Sequence, residues 1–207
     1  MDRNAITEVL EWAYDKAVFS GIPGTDSSVE LAEEYLKQDG TLFERVNSLI
    51  RWEVAKSATS GFMTGLGGAI TLPITSPANL ASVLYIQLKL IAAIAHMGGH
   101  DVREDKVKTL AFVCLCGSAV TEVLKEVGIK VGMKLTEQAI LKISAKVIAK
   151  INTAVGFKLL TKFGQTGVVQ LGKAVPLIGG GIGALFDGVS TNIIGNVARD
   201  TFISIPD

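Results

Sequence analysis

GFMTGLGGAITLPITSPANLASVLYIQLKLIAAIAHMGG, residues 61–99, carries a single charge, Lys89, and its reading decides the fold. Its second half, LASVLYIQLKLIAAIAHM, approaches the length of a membrane-spanning helix, yet Gln87, Lys89 and His96 interrupt it. A second nearly uncharged run, AVPLIGGGIGALFDGVSTNIIGNVA at residues 174–198, is broken by Asp187, Ser190, Thr191 and Asn192. A charge near mid-bilayer is costly unless it is paired, so neither run reads as a simple single-pass span. Lys89 and Asp187 have opposite signs and similar settings, and the simplest arrangement has them meeting in a helical core, because a lone buried charge costs far more than a paired one.

Glycine spacing points the same way. Gly61 and Gly65 form a GxxxG pair, as do Gly179 and Gly183, and small residues at that interval let helix backbones approach closely. Both runs therefore read as glycine-rich apolar hairpins that pack in a core or against lipid. A phosphate-binding loop reads less well. GVVQLGKA at residues 167–174 nearly matches G-x-x-x-x-G-K-[ST], but Ala174 stands where a magnesium-holding hydroxyl belongs, and Pro176 follows at once. GLGGAI at 65–70 lacks the third glycine and the strand–helix setting of a dinucleotide site.

Working outward, the whole chain of 207 residues is 48% apolar and only 19% charged, with a mean hydropathy of +0.40 and zero formal net charge. Such a chain buries more apolar surface than usual or shares some with lipid or a partner. Its charge is unevenly spread: residues 1–60 hold eleven Asp or Glu and six Lys or Arg, whereas residues 121–173 hold nine Lys and three Glu. That asymmetry suits either an anionic surface or internal acid–base pairing. MDRNAITEVLEWAYDKA has acids where an export signal needs bases, so the chain reads as cytoplasmic, at or near the inner face of the plasma membrane. Cys114 and Cys116, two apart in an apolar helical run, imply no disulfide framework and no zinc site.

Helix signals dominate. SSVE at 27–30 and TLFE at 41–44 have the capping-box spacing, Ser76-Pro77 offers a cap followed by a first-turn proline, and Asp101 with Glu104 offers another cap. Helices are expected over about 4–18, 27–38, 41–60, 77–97, 101–127, 133–162 with a break near Gly156, a short piece near 165–172, and 178–203. No strand series with hairpin turns is evident, so the fold class is all-α, a single multi-helix domain. An acidic helical region, 1–45, precedes the main unit, 46–207.

No constellation of side chains outweighs its structural explanation. HMGGHD at 96–101 offers two imidazoles and a carboxylate, but its double glycine ends a helix and leaves a solvated turn rather than a metal centre. Glu122, Lys125 and Glu126 have spacings that fit intrahelical pairing. No metal, cofactor or catalytic residue is expected, and the chain leans away from enzymes.

The feature that rises above background is basic. Lys130, Lys134, Lys142, Lys146 and Lys150 stand at multiples of four, with Ile140, Ile143, Val147, Ile148 and Ile151 largely on the other side. A lysine stripe beside an apolar face suits an interfacial helix on anionic lipid, as well as an ordinary surface helix. Nucleic acid is disfavoured by neutral overall charge and by the scarcity of aromatics in the basic region.

GFMTGLGGAITLPITSPANLASVLYIQLKLIAAIAHMGGHD, then GSAVTEVLKEVGIKVGMKL, then INTAVGFKLLTKFGQTGVVQLGKAVPLIGGGIGALFDGVST resemble the bacterial EcsC family over about residues 50–203. The positions that carry the resemblance are Gly65, Gly67, Gly68, Pro73, Gln87, Pro176, Gly179, Gly180, Gly181, Gly183 and Asp187, whereas HMGGHD departs from the family pattern. The resemblance implies a bacterial, helical, cytoplasmic or membrane-peripheral protein, and neither a reaction nor catalytic residues. Together these readings lead to a non-enzymatic, peripheral membrane-associated protein, accessory to a transporter or envelope process, whose partner is an anionic membrane surface or a membrane protein. The alternatives are a soluble domain with an apolar pocket for a lipid-like ligand, oriented by Gln87, Lys89 and Asp187, and a membrane-inserting, pore-like protein.

Overall fold

A computed structural model describes residues 3–20, 24–58, 78–128, 143–170 and 179–203; side chains are described outside Arg3–Ala5, Ser20, Ser57–Leu80, Ser82 and Leu160–Asp187. Gly61, Gly65, Lys130, Lys134, Lys142 and the Ser76-Pro77 cap lie outside the described residues. The fold is all-α. In chain order the α-helices are α1 (Arg3–Asp15), α2 (Ser28–Leu36), α3 (Leu42–Ala58), α4 (Ala78–Met97), α5 (Asp105–Cys114), α6 (Val120–Glu126), α7 (Ala145–Gln170) and α8 (Gly179–Phe202). A π-helical turn, Lys16–Ser20, extends α1, and a 3-10 turn, Gly117–Ala119, precedes α6.

Local sequence explains where the early helices begin. Ser27 Oγ accepts the Glu30 N–H at 3.2 Å while Glu30 Oε2 accepts the Ser27 N–H at 2.8 Å, so both partners of the expected box are engaged. Thr41 and Glu44 repeat this at the head of α3, at 3.3 and 2.8 Å. In α1 the buried side chains Ile6, Val9, Leu10, Ala13 and Tyr14 recur at helical spacing and form one apolar face.

The later part of the uncharged stretch, Val83–Met97, supplies the centre of the molecule. From Val83 to Met97 only Val83, Lys89 and His96 reach solvent even partly, and the rest of α4 is buried. Helices α1, α2, α3, α5 and α8 and the π turn all pack against it. A helix that is apolar nearly all round belongs inside a protein or a bilayer, and here other helices of the same chain surround it. It ends in a Schellman arrangement: Gly99, at φ +83°, donates to the His96 carbonyl at 2.9 Å, and the His100 N–H reaches the Ala95 carbonyl at 3.1 Å.

Helix direction follows from a few contacts. Gln87 meets Ser190, and Gly98 lies against the carbonyl of Phe202, so α4 and α8 run parallel. Ile50 packs on Gly195 and Asn47 bonds Arg199, so α3 runs antiparallel to α8. The end of α3 and the starts of α4 and α8 therefore share one end of the bundle. Glycine brings these helices close: a Cβ on Gly195 would stand 3.0 Å from two Ile50 carbons, and one on Gly98 would stand 2.4 Å from the Phe202 carbonyl oxygen.

Two expected helices are corrected. The one placed over 101–127 is two helices bent by 115°, because Gly117 adopts φ +56° and turns the chain. Asp101 does not cap it; its Oδ1 accepts the Arg103 N–H at 2.9 Å in a local turn, and α5 begins four residues later behind Glu104, which makes no side-chain cap. The helix placed over 133–162 begins at Ala145, where Ser144 caps it by accepting the Val147 N–H at 3.4 Å, and then runs unbroken through Gly156 to Gln170. Residues 167–170 of the GVVQLGKA stretch are thus helical.

Candidate functional site

Of the polar-pocket candidates, Gln87 and Lys89 face different neighbours. Gln87 is buried against α8, where its Nε2 donates to Ser190 Oγ at 3.4 Å. Lys89, two residues on, turns toward α2 and α3, into a setting that holds Glu53, Asp26, Glu30 and Lys56. Burial pulls its ammonium below the ordinary lysine value, even though Glu53 pulls the other way. The side chain of Asp187, its expected partner, lies outside the described residues.

Around Lys89 is a compact polar cluster. Glu53 is buried and pairs with Lys56 at 2.5 Å. Tyr85 shares a 3.0 Å hydrogen bond with Thr25, and burial followed by the Glu53 charge pushes the Tyr35 hydroxyl up to about 12. Tertiary contacts had to bring these groups together from residues 25–35, 53–56 and 85–89, so no spacing in the sequence announced them.

Of the basic stripe, Lys146 and Lys150 lie among the described residues, and Ile143 and Ser144 just before them are not helical. Lys146 and Lys150 are exposed on α7, whose opposite face buries Ile151, Val155 and Leu159. Beside Lys150 an open groove of about 530 Å³ lies between Glu126 and Val127, at the end of α6, and Thr153 and Phe157. Glu122 reaches across to Lys158 on α7 at 2.6 Å, so the intrahelical pairing expected of it gives way to a bond between helices.

His96 and His100 also part company. His96 Nε2 lies 3.1 Å from Glu33 on α2, whereas His100 is buried and its Nε2 lies 3.1 Å from the Phe202 carbonyl. The solvated turn is corrected: one imidazole belongs to the core and closes the end of α8. No three His, Cys, Asp or Glu side chains gather as a metal ion would require among the described residues. Cys114 and Cys116 are buried thiols outside any disulfide, and burial pushes Cys114 up to about 12, far from a reactive thiolate. Of the proposed packing glycines, Gly179 and Gly183 lie in the first turns of α8, while close approach is visible at Gly98 and Gly195, which the spacing rule passed over.

No single helix among the described residues is long and apolar enough to cross a membrane; α5 and the stretch 117–126 would pass only as a bent pair. No curated protein and no solved structure matches the chain. The EcsC protein family matches residues 40–203, from the head of α3 to the end of α8. With most of its length inside that match, and with Gln87 in the central contact between α4 and α8, the chain belongs to the EcsC protein family.

Proposed function

We propose that this chain is a non-enzymatic, membrane-peripheral helical protein that presents one end of its bundle to an anionic lipid surface on the inner face of a bacterial membrane. The observation that carries the reading is the placement of the helix ends that flank the two uncharged, glycine-rich runs. The runs lie more than a hundred residues apart in sequence, yet the helix ends that lead into them sit together: α3 ends, and α4 and α8 begin, at the same end of the bundle. Residues 57–88 carry no charge, and residues 174–186 carry none either. Uncharged sequence joined to that end can meet lipid without ionic desolvation cost. The exposed Lys146 and Lys150 on α7 add attraction for anionic headgroups.

Flotation with vesicles of phosphatidylcholine alone and with added phosphatidylglycerol, at low and high salt, tests this reading. The protein is expected to float with anionic vesicles. Changing Lys146 and Lys150 together to Glu is expected to weaken that binding by about tenfold or more at low salt. Absence of flotation under every condition sinks the proposal, and unchanged binding of the double variant removes the electrostatic part alone.

A further inference from the structure

We infer that the outer face of the last turns of α3, formed by Arg51, Trp52 and Lys56, is the contact with lipid headgroups, with the Trp52 indole seated at the boundary between headgroups and acyl chains. This rests on the membrane-peripheral reading and adds to it the residues that touch the bilayer. Single exposed apolar side chains are ordinary on protein surfaces, so exposure alone decides nothing. Trp52 combines three further properties.

Its chemistry is the first. The indole is 55% exposed while the neighbouring helix positions Leu49, Ile50 and Glu53 are buried, so the ring projects away from the core. Tryptophan favours the membrane interface because its large apolar ring carries a polar N–H. Its cationic flanks are the second. Arg51 is exposed beside it, and Lys56 Nζ stands 5.8 Å from the ring centroid, anchored at 2.5 Å by the buried Glu53. That bond holds the ammonium near the indole, within reach of the attraction between a cation and an aromatic face.

Position is the third. Trp52 is six residues, about 9 Å, from the end of α3, which is the end shared with the starts of α4 and α8. Lys56 is also the last charged residue before the uncharged stretch 57–88. An exposed aromatic ring flanked by two cations at that end of the bundle matches the chemistry met on moving from water into headgroups. An anionic bilayer surface is the partner that matches both parts.

The chain contains two tryptophans, and Trp12 is packed partly buried against the core, so Trp12→Phe leaves Trp52 as the sole emitter. Its fluorescence is recorded with vesicles of phosphatidylcholine and phosphatidylglycerol, some carrying bromine on the acyl chains near the glycerol. The expected result is a blue shift on binding and quenching by bromine. Trp52→Ala, at an exposed site, is expected to keep its urea midpoint and lose on the order of tenfold in vesicle partitioning. If the Trp12→Phe protein floats with unshifted, unquenched emission, or if Trp52→Ala floats as well as the parent, another face makes the contact and the inference falls while the membrane reading stands. If the parent protein does not float, both fall together.

Discussion

The helices α4 and α8 run parallel, touch one another and arise from the two least charged parts of the chain, yet they live in different surroundings. Along Val83–Met97 helix α4 is nearly all buried, whereas α8 exposes Val189, Asn192, Ile193 and Asp200 along one side. The cause is the number of neighbours: α4 is enclosed by α1, α2, α3, α5 and α8, while α8 meets only α3, α4, α5 and the 3-10 turn among the described elements. Low charge therefore did not tell a core helix from a half-exposed one; the packing of the other helices did.

The sharpest way to break this comparison is to truncate one apolar side chain on each helix. Leu88→Ala, at a fully buried site on α4, is expected to cost about 2–5 kcal/mol of stability, and Val189→Ala on α8 to change it by less than about 0.5 kcal/mol, both read from urea midpoints. Equal losses would mean that the two helices are equally enclosed.

A smaller effect is expected where α8 meets α3. Gly195→Ala places a methyl 3.0 Å from the Ile50 carbons and is expected to cost about 1–3 kcal/mol. Combining it with Ile50→Ala, which removes both γ carbons, should cost less than the sum of the two single losses, a non-additivity read from a double-mutant cycle. Additive losses would show that the two side chains do not share that space.

Smaller still are the effects of the caps at the heads of α2 and α3. Ser27→Ala and Thr41→Ala should each lower stability by about 1 kcal/mol. Glu30 and Glu44 are held below the ordinary carboxylate value of 4.5, first by the backbone N–H groups of Ser27 and Thr41 and then by their hydroxyls. Because the folded-state values are the lower ones, this stabilisation is complete above that ordinary value and is lost as pH falls through the depressed ones. Stability of the Ser27→Ala and Thr41→Ala double variant should accordingly decline less between pH 5 and pH 3 than that of the parent. An equal acid response would show that the caps do not couple to these carboxyls.

Much of the fold was legible because its signals are local. Ser27 with Glu30 and Thr41 with Glu44 needed only three-residue spacing, and the Gly98-Gly99 pair marked the end of α4 by itself. The break at Gly117 was missed because its positive φ serves the turn of α5 toward α7 and α8, which composition does not encode. The lysine series looked continuous at four-residue intervals, whereas the cap at Ser144 starts α7 just before Lys146. The candidate site was less legible still. Gln87 and Lys89 stand two apart in sequence and so point to different helices, while the Glu53–Lys56 pair with Trp52 gains meaning only from lying near the end where α3 stops and α4 and α8 start.

Hydrogen exchange with and without anionic vesicles tests the central claim most directly, because it reads α4 and the shared helix ends in one experiment. The account predicts that amides of residues 83–97 exchange equally slowly in both conditions, while vesicles slow exchange in the last turn of α3 and the first turns of α4 and α8. If residues 83–97 exchange readily in solution and become protected only with lipid, α4 is a membrane segment rather than the core of the bundle, and the account is wrong.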